Sequence, residues 1–167
     1  MNNKYLELPL PSGFDTAGAS PLTALCFTEG PAVGADGTVY YSDIENNRIM
    51  QWSPDGTRQV WREPSHRTNG QTFDPQGRLY HCEGAEFGPG GGRRVTVTDL
   101  DSGGYSIITE SYDGARYNSP NDICTDADGR VYFTDPRYGD RSSMEMEIEG
   151  VYRIDLDGAV HRILEQP

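Results

Sequence analysis

The sequence is short of the features that announce several common protein classes. Its 167 residues hold three cysteines, Cys26, Cys82 and Cys124, an odd number without the spacing of a zinc site or a disulfide framework. They read as small buried hydrophobes. Basic residues are few: 14 Lys and Arg stand against 26 Asp and Glu, for a net charge of −12. Binding nucleic acid needs a basic face for the phosphates, so that class is excluded. A cation is the better expected ligand, although an acidic surface also serves solubility alone. No run approaches the roughly 20 apolar residues of a membrane span, and no charged-then-apolar leader opens the chain. The expectation is a soluble protein with no membrane partner, cytoplasmic unless an export signal has been removed. His66, His81 and His161 have no serine or cysteine partner in a triad-like motif, and His81, on an alternating run, reads as a packed residue. The Gly90-Gly91-Gly92 run before Arg93 and Arg94 lacks the strand-to-helix context of a phosphate loop. No stretch carries the 3.6-residue period of a long helix.

What the chain does have is glycine (20), proline (11) and short alternating runs of valine, tyrosine and phenylalanine, which predict an all-β protein of short strands and tight turns. Three segments share one frame: "EGPAVGADGTVYYSD" from Glu29, "NGQTFDPQGRLYHCE" from Asn69 and "NDICTDADGRVYFTD" from Asn121. In each, an apolar strand runs into a turn at Gly37, Gly77 or Gly129, and a second strand returns. The segments "RIMQWSPDG", "RRVTVTDLDSG" and "GVYRIDLDG" add a third strand, and runs such as "AVHRILE" a fourth. The turn glycines are 40 and 52 residues apart, close to the roughly 40–50 residues of a propeller blade. Residues 25–167 therefore predict about three four-stranded antiparallel blades of a β-propeller, with units starting near 29, 69 and 121. Residues 1–24 form a lead segment able to supply an outer strand. Closed propellers use about four to eight blades, so further blades or another chain are expected to close the ring and cover its open edges.

The frame also locates a candidate site. Eight positions before each turn glycine stand Glu29, Asn69 and Asn121, and six positions after it stand Asp43, Glu83 and Asp135. The first strand starts, and the second ends, at the same mouth of the ring, so both sets are expected at one opening. In a propeller, equivalent positions of the innermost strands converge on the axis. Carboxylate and amide oxygens gathered there call for a hard cation such as Ca2+ or Mg2+. The alternative is that they are ordinary blade-end residues satisfying backbone groups in Asx-type turns, and it is favoured for Asp43 and Glu83.

On the segments "FTEGP" around Glu29, "RTNGQTFDPQGRLYHCE" from Arg67 and "NSPNDICTDADGRVYFTDPRYG" from Asn118, the chain resembles the gluconolactonase, regucalcin (senescence marker protein) and luciferin-regenerating enzyme family of six-bladed propellers. The likeness runs from about Leu25 to Pro167 and corresponds to the N-terminal half of that family. It implies metal-dependent hydrolysis of a sugar lactone, with Glu29 and Asn121 as metal ligands. One divalent metal is implied, Ca2+ first, with Zn2+ or Mg2+ as alternatives. The resemblance further places Asn69, Asp135, Arg137 and Tyr138 on the substrate side. The second metal asparagine and the aspartate that serves as general base have no match here, so the catalytic base is unassigned and the isolated chain is expected to be inactive. Two other functions stay open: a noncatalytic calcium-binding or interaction propeller, and a related hydrolase acting on other lactones or phosphotriesters.

Overall fold

The computed structural model describes residues 27–85 and 90–166. Among them there is no helix, and 14 strands form four antiparallel sheets. Blade 1 contains β1 (Thr28–Val33), β2 (Val39–Asp43), β3 (Arg48–Trp52) and β4 (Arg58–Arg62). Blade 2 contains β5 (Thr68–Phe73), β6 (Leu79–Glu83), β7 (Arg94–Thr98) and β8 (Tyr105–Thr109). A small hairpin, β9 (Ser111–Tyr112) with β10 (Ala115–Arg116), precedes blade 3, which contains β11 (Ile123–Thr125), β12 (Val131–Asp135), β13 (Glu149–Ile154) and β14 (Val160–Gln166). Each blade is a simple meander in chain order. The chain is a partial β-propeller, as the repeat frame implies. The hairpin β9–β10 has no equivalent in that frame, and the lead segment 1–24 lies outside the described residues.

The turn chemistry explains the meander. In blades 2 and 3 an aspartate accepts backbone N–H bonds across the turn and an ion pair from the arginine four residues on. Asp74 Oδ1 accepts from the amides of Gln76 and Arg78, and Asp126 Oδ1 from those of Asp128 and Arg130. Each Oδ2 meets the arginine Nε at 2.7 Å. Gly77 and Gly129, with φ of 79° and 92°, supply the left-handed residue that these hairpins require.

Alternation along β6 sends side chains to both neighbours, and every residue of β6 is buried. Leu79 joins Ala32, Tyr40 and Ile49 of blade 1, flanked by Trp61 and Phe73. Tyr80 and Cys82 join Val95 and Val97 against Ile123, Val131, Phe133, Tyr152 and Ile154 of blade 3, with Tyr117 and Met146 from the connections. Blade 2 is thus covered on both faces, while blades 1 and 3 are each covered on one. This overturns one expectation: Cys82 is buried, but Cys124 is exposed, because its place on β11 turns it toward the uncovered face of blade 3. Cys26 lies outside the described residues. No helix is long and apolar enough to cross a membrane among the described residues.

Candidate functional site at the inner strand starts

The innermost strands begin at one end of the arc, and two devices set their geometry. The first is a repeated bulge. The β1–β2 register shifts between Glu29 and Ala32, and the β5–β6 register between Thr68 and Gln71. Such bulges kink a strand and re-aim its side chains. The second is a glycine after each of the first two ring residues. A Cβ on Gly30 (φ +53°) would lie 2.2 Å from Asn69 O and 2.8 Å from Gly70 Cα, and one on Gly70 would lie 2.6 Å from Asn121 O. The Gly70 amide donates to that same oxygen at 2.6 Å. Backbone meets backbone at both steps, which places Glu29, Asn69 and Asn121 in succession along the inner edge. In the third unit Asp122 stands where the first two have glycine.

Glu29 is exposed, and Asn69 and Asn121 are half-buried. Glu29 borders a groove of about 320 Å3 on the uncovered face of blade 1, beside Tyr41 and Trp52. Asn121 borders one of about 540 Å3 on the uncovered face of blade 3, beside Tyr138 and Glu149. Among the described residues, no group of three or more His, Cys, Asp or Glu is placed to hold a metal ion. The ring donors are instead one carboxylate and two amides.

The second set of acids does not face the mouth: Asp43, Glu83 and Asp135 are all fully buried. Asp43 Oδ2 accepts from Asn46 and Arg48 at 2.8 and 2.9 Å. Glu83 receives Arg94 Nε at 2.6 Å, Thr96 Oγ1 at 3.1 Å and the Tyr105 hydroxyl at 2.5 Å. Asp135 accepts the backbone N–H groups of Asn118 and Ser119 at 2.8 and 2.7 Å, and so lies beneath the wall of the blade 3 groove. The end of each second strand is covered by what its acid holds: the turn after β2 for Asp43, side chains of β7 and β8 for Glu83, and the crossover at 118–119 for Asp135. Burial raises the Asp135 carboxyl to about 6, against the lowering effect of those two N–H bonds and of Arg93 and Arg137.

Arg137 is similarly turned inward. Its guanidinium donates to Asp140 O at 2.8 Å, to Asn118 O at 2.8 Å and to Ser143 Oγ. Tyr138, the next residue, is 69% exposed at the groove beside Asn121. The two loop residues therefore face opposite ways. Asp135 and Arg137 both grip the turn 118–119 that presents Asn121, one by its amides and the other by a carbonyl. Asn47 braces the equivalent approach to Asn69: its Oδ1 accepts from Arg67 N at 2.9 Å and its carbonyl from Ser65 N at 2.8 Å. Arg67 Nη1 reaches the carbonyls of Ile44 and Glu45. Sequence reading missed Asn47, Ser65 and Arg67, since nothing in the repeat frame marks a crossover brace.

The SMP-30/Gluconolactonase/LRE-like region family profile matches residues 27–167. The chain belongs to this family. A gluconolactonase of Zymomonas mobilis subsp. mobilis is 30% identical over 156 residues, covering 82% of this chain and 42% of that protein. The structure of a Xanthomonas campestris gluconolactonase superposes with a TM-score of 0.74 at 36% identity, covering 84% of this chain and 48% of that one. At the level of fold alone, a calcium-binding regucalcin from Agrobacterium tumefaciens superposes with a TM-score of 0.63 at 16% identity, covering 87% of this chain and 45% of that one. The chain thus spans about half the length of the family members it matches.

Proposed function

We propose that this chain supplies the first half of the site of a metal-dependent sugar lactonase, with Glu29 and Asn121 as metal ligands. The observation that carries the reading is the backbone contact of the three inner strand starts through Gly30 and Gly70, which sets Glu29, Asn69 and Asn121 side by side in a gluconolactonase-family chain. The Glu29 carboxylate and the Asn121 amide oxygen are hard donors. They suit Ca2+ or Mg2+ in kind, with Zn2+ as the alternative, and fall short of the roughly six to eight oxygens that calcium takes. Water and the blades that family members carry beyond these three would supply the remainder.

A cation held there supplies Lewis-acid polarisation of the lactone carbonyl and charge for the developing oxyanion. Glu29 contributes the negative charge of the ligand set, and Asn121 a neutral oxygen on a turn fixed by Asp135 and Arg137. The Asn69 amide can donate or accept a hydrogen bond with a sugar hydroxyl. The exposed Tyr138 offers an aromatic face and a phenol beside the groove at Asn121. Asp135 and Arg137 act in this scheme through the turn 118–119. No residue of this chain is assigned the removal of a proton from water.

The test is hydrolysis of glucono-1,5-lactone, with and without Ca2+, Zn2+ or Mg2+, by this chain and by a version extended with the remaining blades of a family member. Metal-dependent turnover by the extended version, lost in Glu29→Gln and Asn121→Ala, is the expected result. Metal binding with no turnover of any lactone would replace the lactonase reading with a structural cation.

A further inference from the structure

A line of buried polar side chains crosses the boundary between blades 1 and 2. Ser42, Gln71, His81 and Thr98 are 0%, 5%, 0% and 6% exposed. Gln71 Nε2 donates to Gly30 O at 3.2 Å and to Ser42 Oγ at 3.1 Å, and Ser42 Oγ donates to Asn69 O at 2.8 Å. At the other end, His81 Nδ1 lies 3.2 Å from Gln71 Oε1, and His81 Nε2 lies 3.1 Å from Thr98 Oγ1. Arg62 Nη1 donates to the same threonine oxygen at 3.4 Å.

The proton directions follow from the fixed ends. Gly30 O and Asn69 O are carbonyls and can only accept, so the Gln71 NH2 group faces Gly30 and its Oε1 faces His81. His81 must then donate from Nδ1, and as a neutral imidazole it accepts at Nε2 from the Thr98 hydroxyl. Neutrality fits the surroundings, since burial and the Arg62 charge hold the imidazole well below its ordinary range. Every hydrogen bond in the line points toward the strand starts that carry Glu29 and Asn69.

The other blade boundary is built without this arrangement. In the repeat frame, the residues equivalent to Ser42, Gln71, His81 and Thr98 at the boundary of blades 2 and 3 are Cys82, Ile123, Phe133 and Ile154, all buried in one apolar cluster. Buried polar networks are demanding, because each unmet group is costly, but a satisfied one fixes a single geometry. The polar version occurs where two residues of the mouth must be held in a set relation. We propose that Ser42, Gln71 and His81 are positioning residues that clamp the carbonyls of Gly30 and Asn69 and so fix the relative placement of Glu29 and Asn69. The inference rests on the reading of that mouth as the functional site.

The test uses the 15N-labelled chain with the variants Gln71→Leu and Ser42→Ala. Long-range proton–nitrogen spectra of His81 should show a neutral ring protonated at Nδ1 throughout the range in which an ordinary histidine titrates. A titrating ring, or one protonated at Nε2, would overturn the line. In both variants the resonances of Glu29, Gly30 and Asn69 should shift and their amide protection fall, while those around Ser119 and Phe133 hold. Unchanged signals at Glu29 and Asn69 would overturn the positioning role. Mn2+ affinity should fall about 10- to 100-fold, as for residues that orient metal ligands, whereas Ile154→Val should leave it unchanged. Retained affinity in both polar variants would also refute the proposal. A parent chain that binds no Mn2+ would count against the metal reading of the mouth, and the resonance shifts would still decide the positioning role.

Discussion

The two boundaries between neighbouring blades close the same repeated frame by different means. Between blades 2 and 3, Phe133 stacks on Tyr152 at 5.2 Å while Tyr117 meets both edge-on at 5.1 and 5.3 Å, within a large apolar cluster. Between blades 1 and 2 the apolar cluster is small, built around Ala32, Tyr40, Ile49 and Leu79. There the polar line through Gln71 and His81 takes the space that aromatic and aliphatic groups fill on the other side. Packing alone is tolerant of small shifts, whereas hydrogen bonds specify distance and direction. The boundary beneath Glu29 and Asn69 is therefore the more exactly aligned of the two, and the one behind Asn121 the more strongly packed.

The comparison can be broken most forcefully at the packed boundary. Phe133→Ala should cost about 3–5 kcal/mol, read as a lowered urea midpoint. Leu79→Ala at the first boundary should fall near the lower end of the about 2–5 kcal/mol expected for such truncations. Equal losses would remove the difference in packing strength. Next comes Asp135, whose folded carboxyl is raised from 3.8 to about 6 by burial. A raised acid stabilises the fold fully below its unfolded pKa and loses that contribution as pH rises through about 6. Between about pH 4 and pH 7 this amounts to roughly 3 kcal/mol. Asp135→Asn should flatten that part of the stability–pH curve, and an unaltered slope would place the titration elsewhere.

Thr98→Val sharpens the comparison at the polar boundary, because it leaves His81 Nε2 without its donor, and should cost about 1–3 kcal/mol. A neutral result in thermal unfolding would mean that the hydroxyl is dispensable there. The smallest effect is expected away from both boundaries. The ion pair of Arg141 with Glu149, 2.6 Å long but with side chains 54% and 35% exposed, should contribute under about 1 kcal/mol. Arg141→Ala should leave the urea midpoint nearly unchanged, and a large drop would show that the loop 136–148 braces blade 3.

Much of the architecture was legible because repeats, turn glycines and alternating strands are local signals. The positions of Gly37, Gly77 and Gly129 alone placed three hairpins, and counting from them reached Glu29, Asn69 and Asn121. Depth was not legible. Alternation tells which face a residue takes but not how far it is covered, so Asp135 reads as a mouth residue and is fully buried, as are Asp43 and Glu83, for which the blade-end alternative is already favoured. Cys124 failed in the opposite sense, since its exposure depends on what covers blade 3. The Asn47 brace and the contacts of Gln71 with blade 1 arise from pairings across 20 to 41 residues, beyond the reach of a local pattern, and the bulges at Glu29 and Thr68 are irregularities of strand register that the alternation does not show. The hairpin β9–β10 was missed because its two-residue strands are too short for an alternation to show.

The aspartate at position 122 gives the arc a broken symmetry. Where Gly30 and Gly70 let one strand start rest on the next, Asp122 carries a side chain whose Oδ1 accepts the Ile123 amide at 2.9 Å. Whatever packs onto β11 meets a carboxylate instead of bare backbone and must stand farther off or answer it with a donor. A ring engineered by copying one unit of this chain around an axis would therefore need the first or second unit as its template, since identical copies of the third could not repeat the close step.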